Sequence, residues 1–269
     1  MSATSAAPLA PYQVQAHNTA KASENKIHDD SIARKFGFTG GLVPGVDVYA
    51  YMTHLPVQRW GRAWLEHGTA DCRFLKPVYD GETATVTATE TDGALAIEVT
   101  SRGELCATGT ARLPERDPAP TSSDYDVVEP PETRPQASET SLAAGLWVNS
   151  KPIAATPEFS AQYLRDLRET EALYAREGIA HPGLILRLCN WALSHNVVLG
   201  PWIHVGSVVR HLNVPYVGET LTARARIAGN DERKGHRFVD LDALVLAGER
   251  PIAHVLHTAI WRPRQLAAA

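Results

Sequence analysis

The 269-residue chain has few cysteines and no long apolar run, and these two features limit the kinds of protein that it can be. Its three cysteines, Cys72, Cys106 and Cys189, stand far apart and lack the spacing of a metal site. We therefore expect buried thiols in a reducing cytoplasm rather than disulfides or zinc ligands. No run of about 18 apolar residues occurs, which predicts no membrane span. The first twelve residues lack a charged segment followed by an apolar one, so we expect no secretory signal.

The chain also lacks a large excess of either sign of charge. The 26 basic and 30 acidic residues give a formal net charge of −4, so the chain has no basic footprint for nucleic acid. Its lysines and arginines are scattered, which argues against binding to an anionic membrane surface. With 44% hydrophobic and 21% charged residues the composition is that of an ordinary globular protein. The length suits one large domain or two modest ones.

The chain repeats itself across a segment rich in proline, serine and acidic residues. "RFLKPVYDGET" from residue 73 matches "RHLNVPYVGET" from residue 210 at six of eleven positions. Pro44-Gly45 likewise precedes an apolar segment, as Pro182-Gly183 does. These matches predict a tandem duplication. We expect an N-terminal unit over 10–115, a linker over 116–140 and a C-terminal unit over 141–265.

Each predicted unit contains one helix followed by a series of strands. The spacing of apolar residues after each Pro-Gly step predicts helices over 45–55 and 183–200. Alternating β-branched residues then predict strands, with turns at Asp92-Gly93 and Arg102-Gly103 in the first unit. A single helix can be buried by such a meander only if the sheet wraps around it. The sequence therefore predicts an α+β fold.

The N-terminal unit also carries an ordered polar motif, "SENKIHDDSIARKFGFTGGLVPG", at residues 23–45. It resembles the signature of the MaoC-like (R)-specific enoyl-thioester hydratases and dehydratases. The matching positions are Asn25, Ile27, His28, Asp30, Ala33, Gly37, Phe38 and Gly45. This resemblance implies a double hotdog, two tandem units that each wrap a curved antiparallel sheet around a long central helix.

The motif departs from the family pattern at two positions and is missing from the second unit. The catalytic aspartate of the family falls at Ser23, and its proline falls at Lys26. Asp166 occupies the position equivalent to His28 in the C-terminal unit. The resemblance therefore implies one candidate site, in the N-terminal unit, while the C-terminal unit shapes an acyl tunnel.

Three residues of the motif are the predicted catalytic group. His28 can take or give a proton near pH 7. Asn25 and Ser23 can place a water molecule, although either could instead shape the turn. Asp30, directly before a helical segment, is expected to cap that helix.

Other predicted site residues lie on the two central helices. The first amides of a helix lack internal partners, so Gly45 and Val46 are expected to bind a thioester oxygen. Asp47 either complements the helix dipole or serves as a second acid or base. Arg187 and Asn190 either form structural bonds on a buried helix or line the substrate pocket.

Taken with the resemblance, these residues imply an acyl-thioester lyase. It would hydrate 2-enoyl thioesters or dehydrate 3-hydroxyacyl thioesters carried by coenzyme A or an acyl carrier protein. Neither a metal nor a redox cofactor is implied. The alternatives are a hotdog thioesterase that uses Asp47, conjugate addition of another nucleophile, and a non-catalytic acyl-binding protein. A homodimer is compatible with the fold but not required, because two fused units already form a pseudo-dimer.

Overall fold

The computed structural model describes residues 9–35 and 37–264 of the chain. The segment in which the sequence predicts no secretory signal therefore lies mostly outside the described residues. No helix of the described ranges is long and apolar enough to cross a bilayer. The three cysteines are buried and free, as predicted.

In the described part of the first half, two short helices and five strands surround one long helix. The helices are α1 (Asp30–Lys35), α2 (Gly45–Trp60) and α3 (Arg62–His67). The strands are β1 (Tyr12–Gln15), β2 (Thr69–Phe74), β3 (Thr83–Thr91), β4 (Ala94–Ser101) and β5 (Glu104–Arg112).

The second half repeats this plan with longer strands. Its helices are α4 (Pro157–Leu167), α5 (Leu173–Glu177) and α6 (Gly183–Ser194). Its strands are β6 (Trp147–Asn149), β7 (Ile153–Ala154), β8 (Ile203–His211), β9 (Thr220–Arg233), β10 (His236–Ala247) and β11 (Arg250–Arg262).

All these strands belong to a single antiparallel sheet. Its order is β1-β3-β4-β5-β2-β8-β11-β10-β9-β6, with β7 also pairing to β9. The two halves therefore meet at the β2–β8 pair, which runs from Thr69 opposite Arg210 to Arg73 opposite Gly206. Equivalent bridges, Leu42 to Tyr79 and Ile179 to Tyr216, recur 137 residues apart in the two halves. The predicted α+β class is confirmed.

The helices α2 and α6 pack against each other inside the sheet. Every residue of α2 from Val46 to Val57 is buried, including Asp47, Thr53 and His54. Buried polar groups must find partners, because an unpaired one costs several kilocalories per mole, on the order of 2–7. His54 Nδ1 accordingly lies 2.7 Å from a carboxylate oxygen of Glu169.

Both central helices differ in length from the prediction. Helix α2 continues past residue 55 to Trp60, through Pro56. Helix α6 ends at Ser194 rather than at residue 200, because the side-chain amide of Asn196 donates to the carbonyl of Ala192 and closes its last turn.

Candidate active site

His28 ends a short 3-10 turn over Lys26–His28 that precedes α1. Its Nδ1 lies 2.7 Å from the carbonyl oxygen of Leu42. A carbonyl can only accept, so Nδ1 carries the ring proton and Nε2 is left unprotonated. Burial lowers the pKa of the imidazole, which keeps it neutral near pH 7. His28 is thus positioned as a base through Nε2.

Asn25 connects this turn to the second half of the chain. Its Oδ1 accepts from the backbone N–H of Ile27 and of Trp202, at 3.4 and 3.3 Å. Its Nδ2 donates to the carbonyl of Trp202 at 3.0 Å and lies 3.5 Å from Nε2 of His28. Asn25 therefore both shapes the turn and directs an amide donor towards the unprotonated nitrogen of His28.

Ser23 takes a different position from the other two predicted catalytic residues. Its hydroxyl donates to the carbonyl of Asn25 at 3.3 Å. Lys26, at the position of the family's proline, donates through Nζ to the carbonyl of Ser23. Ser23 thus supports the turn by bonding to the backbone of Asn25.

The prediction that Asp30 caps α1 is wrong. Asp29 does so instead, because its Oδ1 accepts from the N–H groups of Ser31 and Ile32 at 2.9 and 3.1 Å. Asp30 Oδ1 accepts from the N–H of Gly41 at 2.6 Å, which fixes the loop that leads to α2.

Helix α2 begins three residues after Leu42, whose carbonyl holds His28. Its third and fourth amides, those of Asp47 and Val48, bond to the carbonyl of Pro44. The amides of Gly45 and Val46 have no hydrogen-bond partner among the described residues. Two free donors at the positive end of a 16-residue helix can hold an oxygen that develops negative charge.

Two hollows meet at His28. The first, the apolar hollow, has a volume of about 260 Å³. Its apolar wall includes Ile27, Phe38, Leu42, Val48, Phe74 and Ile203. Gly45 and His204 also line it.

The second, the polar hollow, has a volume of about 490 Å³. Its polar wall includes Ser23, Asn25, Arg134, Arg187, Ser194 and His195. Val46 also lines this hollow, and four residues line both hollows: His28, Pro44, Asn190 and Trp202. His28 therefore lines both hollows, whereas Gly45 lines only the apolar one and Val46 only the polar one.

Asp47 and Arg187 form a buried ion pair. Asp47, whose side chain is fully buried, accepts from Arg187 Nη2 at 3.0 Å and from Thr19 Oγ1 at 2.5 Å. Asp47 lines neither hollow, whereas Arg187 lines the polar one. Asn190 extends from α6 to both hollows, and its buried Oδ1 has no partner among the described residues.

Several residues of the site are not among those predicted from the sequence. Arg134, from the predicted linker, bonds to the carboxylate of Glu24 and to the carbonyl of Ser194. Trp202 and His204 come from the chain around the start of β8, and Phe74 ends β2 within the repeated segment. The repeated segment is the signal in the sequence that could have pointed to Phe74. The other residues carry no such signal, because their positions depend on the packing of the two halves.

The start of α6 is closed, unlike the start of α2. The amide of Gly183 donates to Nδ1 of His181 at 3.0 Å. A Cβ at Gly183 would lie only 2.5 Å from the hydroxyl of Tyr163, so the start of α6 is tightly packed at this residue. Asp166, the counterpart of His28, bonds to Gln162 at the exposed surface of α4.

Comparison with solved structures identifies the fold. No family model and no curated protein matches the chain. A protein of Chloroflexus aurantiacus described as a MaoC domain dehydratase is 13% identical, with a TM-score of 0.61 over 95% of this chain and 94% of that one. A conserved protein of Mycobacterium tuberculosis with a double hotdog fold is 14% identical, with a TM-score of 0.61 over 95% and 96%.

A third structure, a MaoC-like dehydratase, is 14% identical, with a TM-score of 0.54 over 94% of this chain and 98% of that one. Matches this long span both halves and the sheet that joins them. At such low identity they establish architecture rather than chemistry. The chain has the double hotdog fold, as its resemblance to the MaoC-like dehydratases predicts.

Proposed function

We propose that the protein is an acyl-thioester lyase. It adds water to 2-enoyl thioesters, or removes it from 3-hydroxyacyl thioesters, of coenzyme A or an acyl carrier protein. The observation that carries this proposal is that His28, unprotonated at Nε2, lines both hollows, of which Gly45 lines the apolar one and Val46 the polar one.

The two hollows differ in a way that suits the two arms of such a substrate. The apolar hollow receives the acyl chain, whose burial is favoured by the hydrophobic effect. The polar hollow receives the amide-containing arm of the carrier, for which Arg134, Arg187 and Asn190 offer hydrogen-bonding groups. The thioester carbonyl then lies at the start of α2, with its oxygen near Gly45 and Val46.

Hydration can proceed with His28 as the only proton-transfer group. Nε2 takes a proton from a water molecule while the water oxygen bonds to C3 of the enoyl group. The electron pair of the C2–C3 double bond moves to form an enolate, whose negative oxygen is held by the amides of Gly45 and Val46. The protonated His28 then gives its proton to C2, and dehydration is the same sequence in reverse. The proton that His28 takes from the water molecule is the one it gives to C2, so the reaction balances without a second acid.

Asn25 has the place of a water-positioning residue in this scheme. One hydrogen of its Nδ2 is used by the carbonyl of Trp202, and the other points towards His28 Nε2 across a long contact of 3.5 Å. A water molecule next to Nε2 can accept from that second hydrogen. Ser23 acts through Asn25, because its hydroxyl bonds to the backbone of that residue.

The carboxylate arrangement favours a lyase over a thioesterase. Asp47, the carboxylate that a thioesterase mechanism needs, is paired with Arg187 and Thr19 and lines neither hollow. Glu24 does line the polar hollow, but it is mostly exposed and bonded to Arg134.

Incubation of the wild-type protein with crotonyl-CoA tests the proposal. We expect the absorbance of the conjugated enoyl thioester to fall while no free thiol appears. Release of thiol with an intact alkene would indicate a thioesterase. Binding of the thioester without either change would indicate an acyl-binding protein. Either of these two results would contradict the lyase.

Replacing Gly45 with alanine is expected to lower kcat for crotonyl-CoA by about 10- to 100-fold. The added methyl group would lie 3.1 Å from the Phe74 ring and 3.2 Å from Nδ1 of His204. To relieve these contacts, either the start of α2 or the two rings must move by a few tenths of an ångström, and small misplacements are costly in catalysis. Steady-state kinetics on the purified variant measure the effect.

Gly40→Ala is the matched control, because its methyl group would meet only Asp30 Oδ1, at an ordinary 3.4 Å. It should keep wild-type kinetics. If Gly45→Ala turned over crotonyl-CoA as fast as Gly40→Ala, the start of α2 would not be the oxygen site.

A further inference from the structure

A chain of three buried polar side chains runs from the apolar hollow into the sheet of the second half. His204 Nε2 lies 2.8 Å from the hydroxyl of Ser207, which lies 2.9 Å from Nδ1 of His257. The two imidazoles stack with their centroids 4.1 Å apart. All three side chains are more than nine-tenths buried. The lyase scheme above assigns no role to them.

Both ends of this chain are open. His204 Nδ1 and His257 Nε2 are buried and have no hydrogen-bond partner among the described residues. The free Nδ1 of His204 faces the start of α2, since it lies 3.2 Å from where a Cβ on Gly45 would stand. A buried polar atom without a partner in the wall of a cavity marks a place for a ligand atom.

The hydrogen-bond pattern decides which form of His204 faces the hollow. If His257 donates from Nδ1 to Ser207, and Ser207 donates to Nε2 of His204, then His204 Nδ1 carries a proton. The opposite pattern would place the unpartnered N–H at His257 Nε2 instead, on a residue that lines neither hollow. An N–H in the wall of a hollow can donate to a ligand or a water molecule, whereas an enclosed N–H stays orphaned, so the first pattern is favoured.

We propose that His204 donates a hydrogen bond from Nδ1 to the thioester oxygen, as a third donor beside the amides of Gly45 and Val46. Ser207 and His257 are positioning residues that hold His204 in the required tautomer. This inference rests on the proposed function in so far as it takes an acyl thioester to be the ligand. The oxygen site is then completed by a residue of the second half, which the sequence motif of the first half does not contain.

The surroundings keep this donor uncharged. Burial and the neighbouring His257 lower the pKa of His204 well below its ordinary value, and burial lowers the pKa of His257 to about 3. Both rings are therefore neutral near pH 7. A neutral imidazole can donate to a forming enolate and release the oxygen again without a separate proton transfer.

Two substitutions separate the two nitrogen atoms of His204. His204→Asn keeps a donor close to the position of Nδ1, whereas His204→Gln keeps a polar group near Nε2 and loses the one at Nδ1. We expect kcat for crotonyl-CoA to fall about 10²-fold in His204→Gln with little change in KM, and to fall less in His204→Asn. A purely structural role, through Ser207, would reverse that order and would overturn the inference.

The carbonyl stretch of bound butyryl-CoA provides a readout that does not depend on turnover. A hydrogen bond to the thioester oxygen lowers this infrared frequency. We expect the lowering in the wild type to shrink in His204→Gln and to persist in His204→Asn. Equal frequencies in the wild type and both variants would overturn the inference. If the lowering depends on His204 but crotonyl-CoA is not hydrated, the lyase fails while the oxygen site stands. If butyryl-CoA does not bind, both fail.

His211→Gln is the matched control. His211 lies on the same strand and is buried with an unpartnered Nε2, but it packs against Trp64 and does not line the apolar hollow. Its replacement should leave the carbonyl frequency unchanged. If His204→Gln fails to fold, Ser207→Ala replaces it, because it removes one oxygen atom and frees the tautomer. The carbonyl lowering should then shrink, and an unchanged frequency would overturn the inference.

Discussion

Replacing His28 with asparagine is expected to lower kcat for crotonyl-CoA by about 10²- to 10⁴-fold, the range typical of lost general acid–base catalysis. Asparagine is the sharpest choice because its Nδ2 can still donate to the carbonyl of Leu42, as Nδ1 does now. The substitution thus removes the base at Nε2 and keeps the bond that holds the turn. Steady-state kinetics and a thermal unfolding curve together show whether chemistry is lost without loss of the fold.

His236→Asn provides the control for this experiment. His236 lines neither hollow, and its Nδ1 accepts from the N–H of Arg264, a role that an asparagine oxygen can fill. That variant should keep turnover near the wild-type value. If both variants were equally active, His28 would not be the base and the proposed mechanism would be wrong.

The pH dependence of the wild type follows from the same residue. The base form of His28 is the active one, and burial lowers the pKa of this imidazole below its ordinary 6.5. Activity should therefore persist through neutral pH and fall only as pH drops below the ordinary range, where His28 gains a proton. A kcat/KM profile that falls already above pH 7 on acidification would contradict this assignment.

The second large effect is expected on stability, from Arg187→Met. This change leaves the carboxylate of Asp47 fully buried with Thr19 as its remaining partner. Breaking a buried ion pair from one side costs about 3–5 kcal/mol, because the other charge stays desolvated. Denaturant unfolding should show a loss of that size in the free energy of unfolding.

Two further variants make this result interpretable. Arg176→Met removes an arginine that is paired with Glu177 at the surface, where such pairs contribute about 0–1 kcal/mol. The double variant Asp47→Asn with Arg187→Met removes both charges and should recover part of the loss. If Arg187→Met were no more destabilised than Arg176→Met, the pair would contribute little to the stability of the fold.

Local patterns in the sequence are sufficient to predict much of this molecule. The strand alternation and the turns at Asp92-Gly93 and Arg102-Gly103 depend on neighbouring residues only, and β3, β4 and β5 follow them. The proximity of His28 to the start of α2 is encoded in one continuous segment of 23 residues. The motif could therefore indicate which side chains to examine.

Features that depend on distant contacts could not be predicted in this way. The end of α6 is set by Asn196, which also bonds to the carbonyl of Asn149 on β6. Asp29 rather than Asp30 caps α1, because the carboxylate of Asp30 accepts a hydrogen bond from the N–H of Gly41 across the loop. Arg134 reaches the polar hollow only because the linker crosses the second half. Pairings of this kind between remote residues leave no periodic trace in a single sequence.

The seam between β2 and β8 has a consequence for how the molecule comes apart. Strand β2 bonds to β5 on one side and to β8 on the other, and the amide of Asn25 is bonded to Trp202 across the same boundary. Unfolding of either half therefore removes hydrogen bonds and apolar contacts from the other half. Although the fold repeats one plan, neither half is expected to unfold by itself, and thermal denaturation should proceed in a single cooperative step.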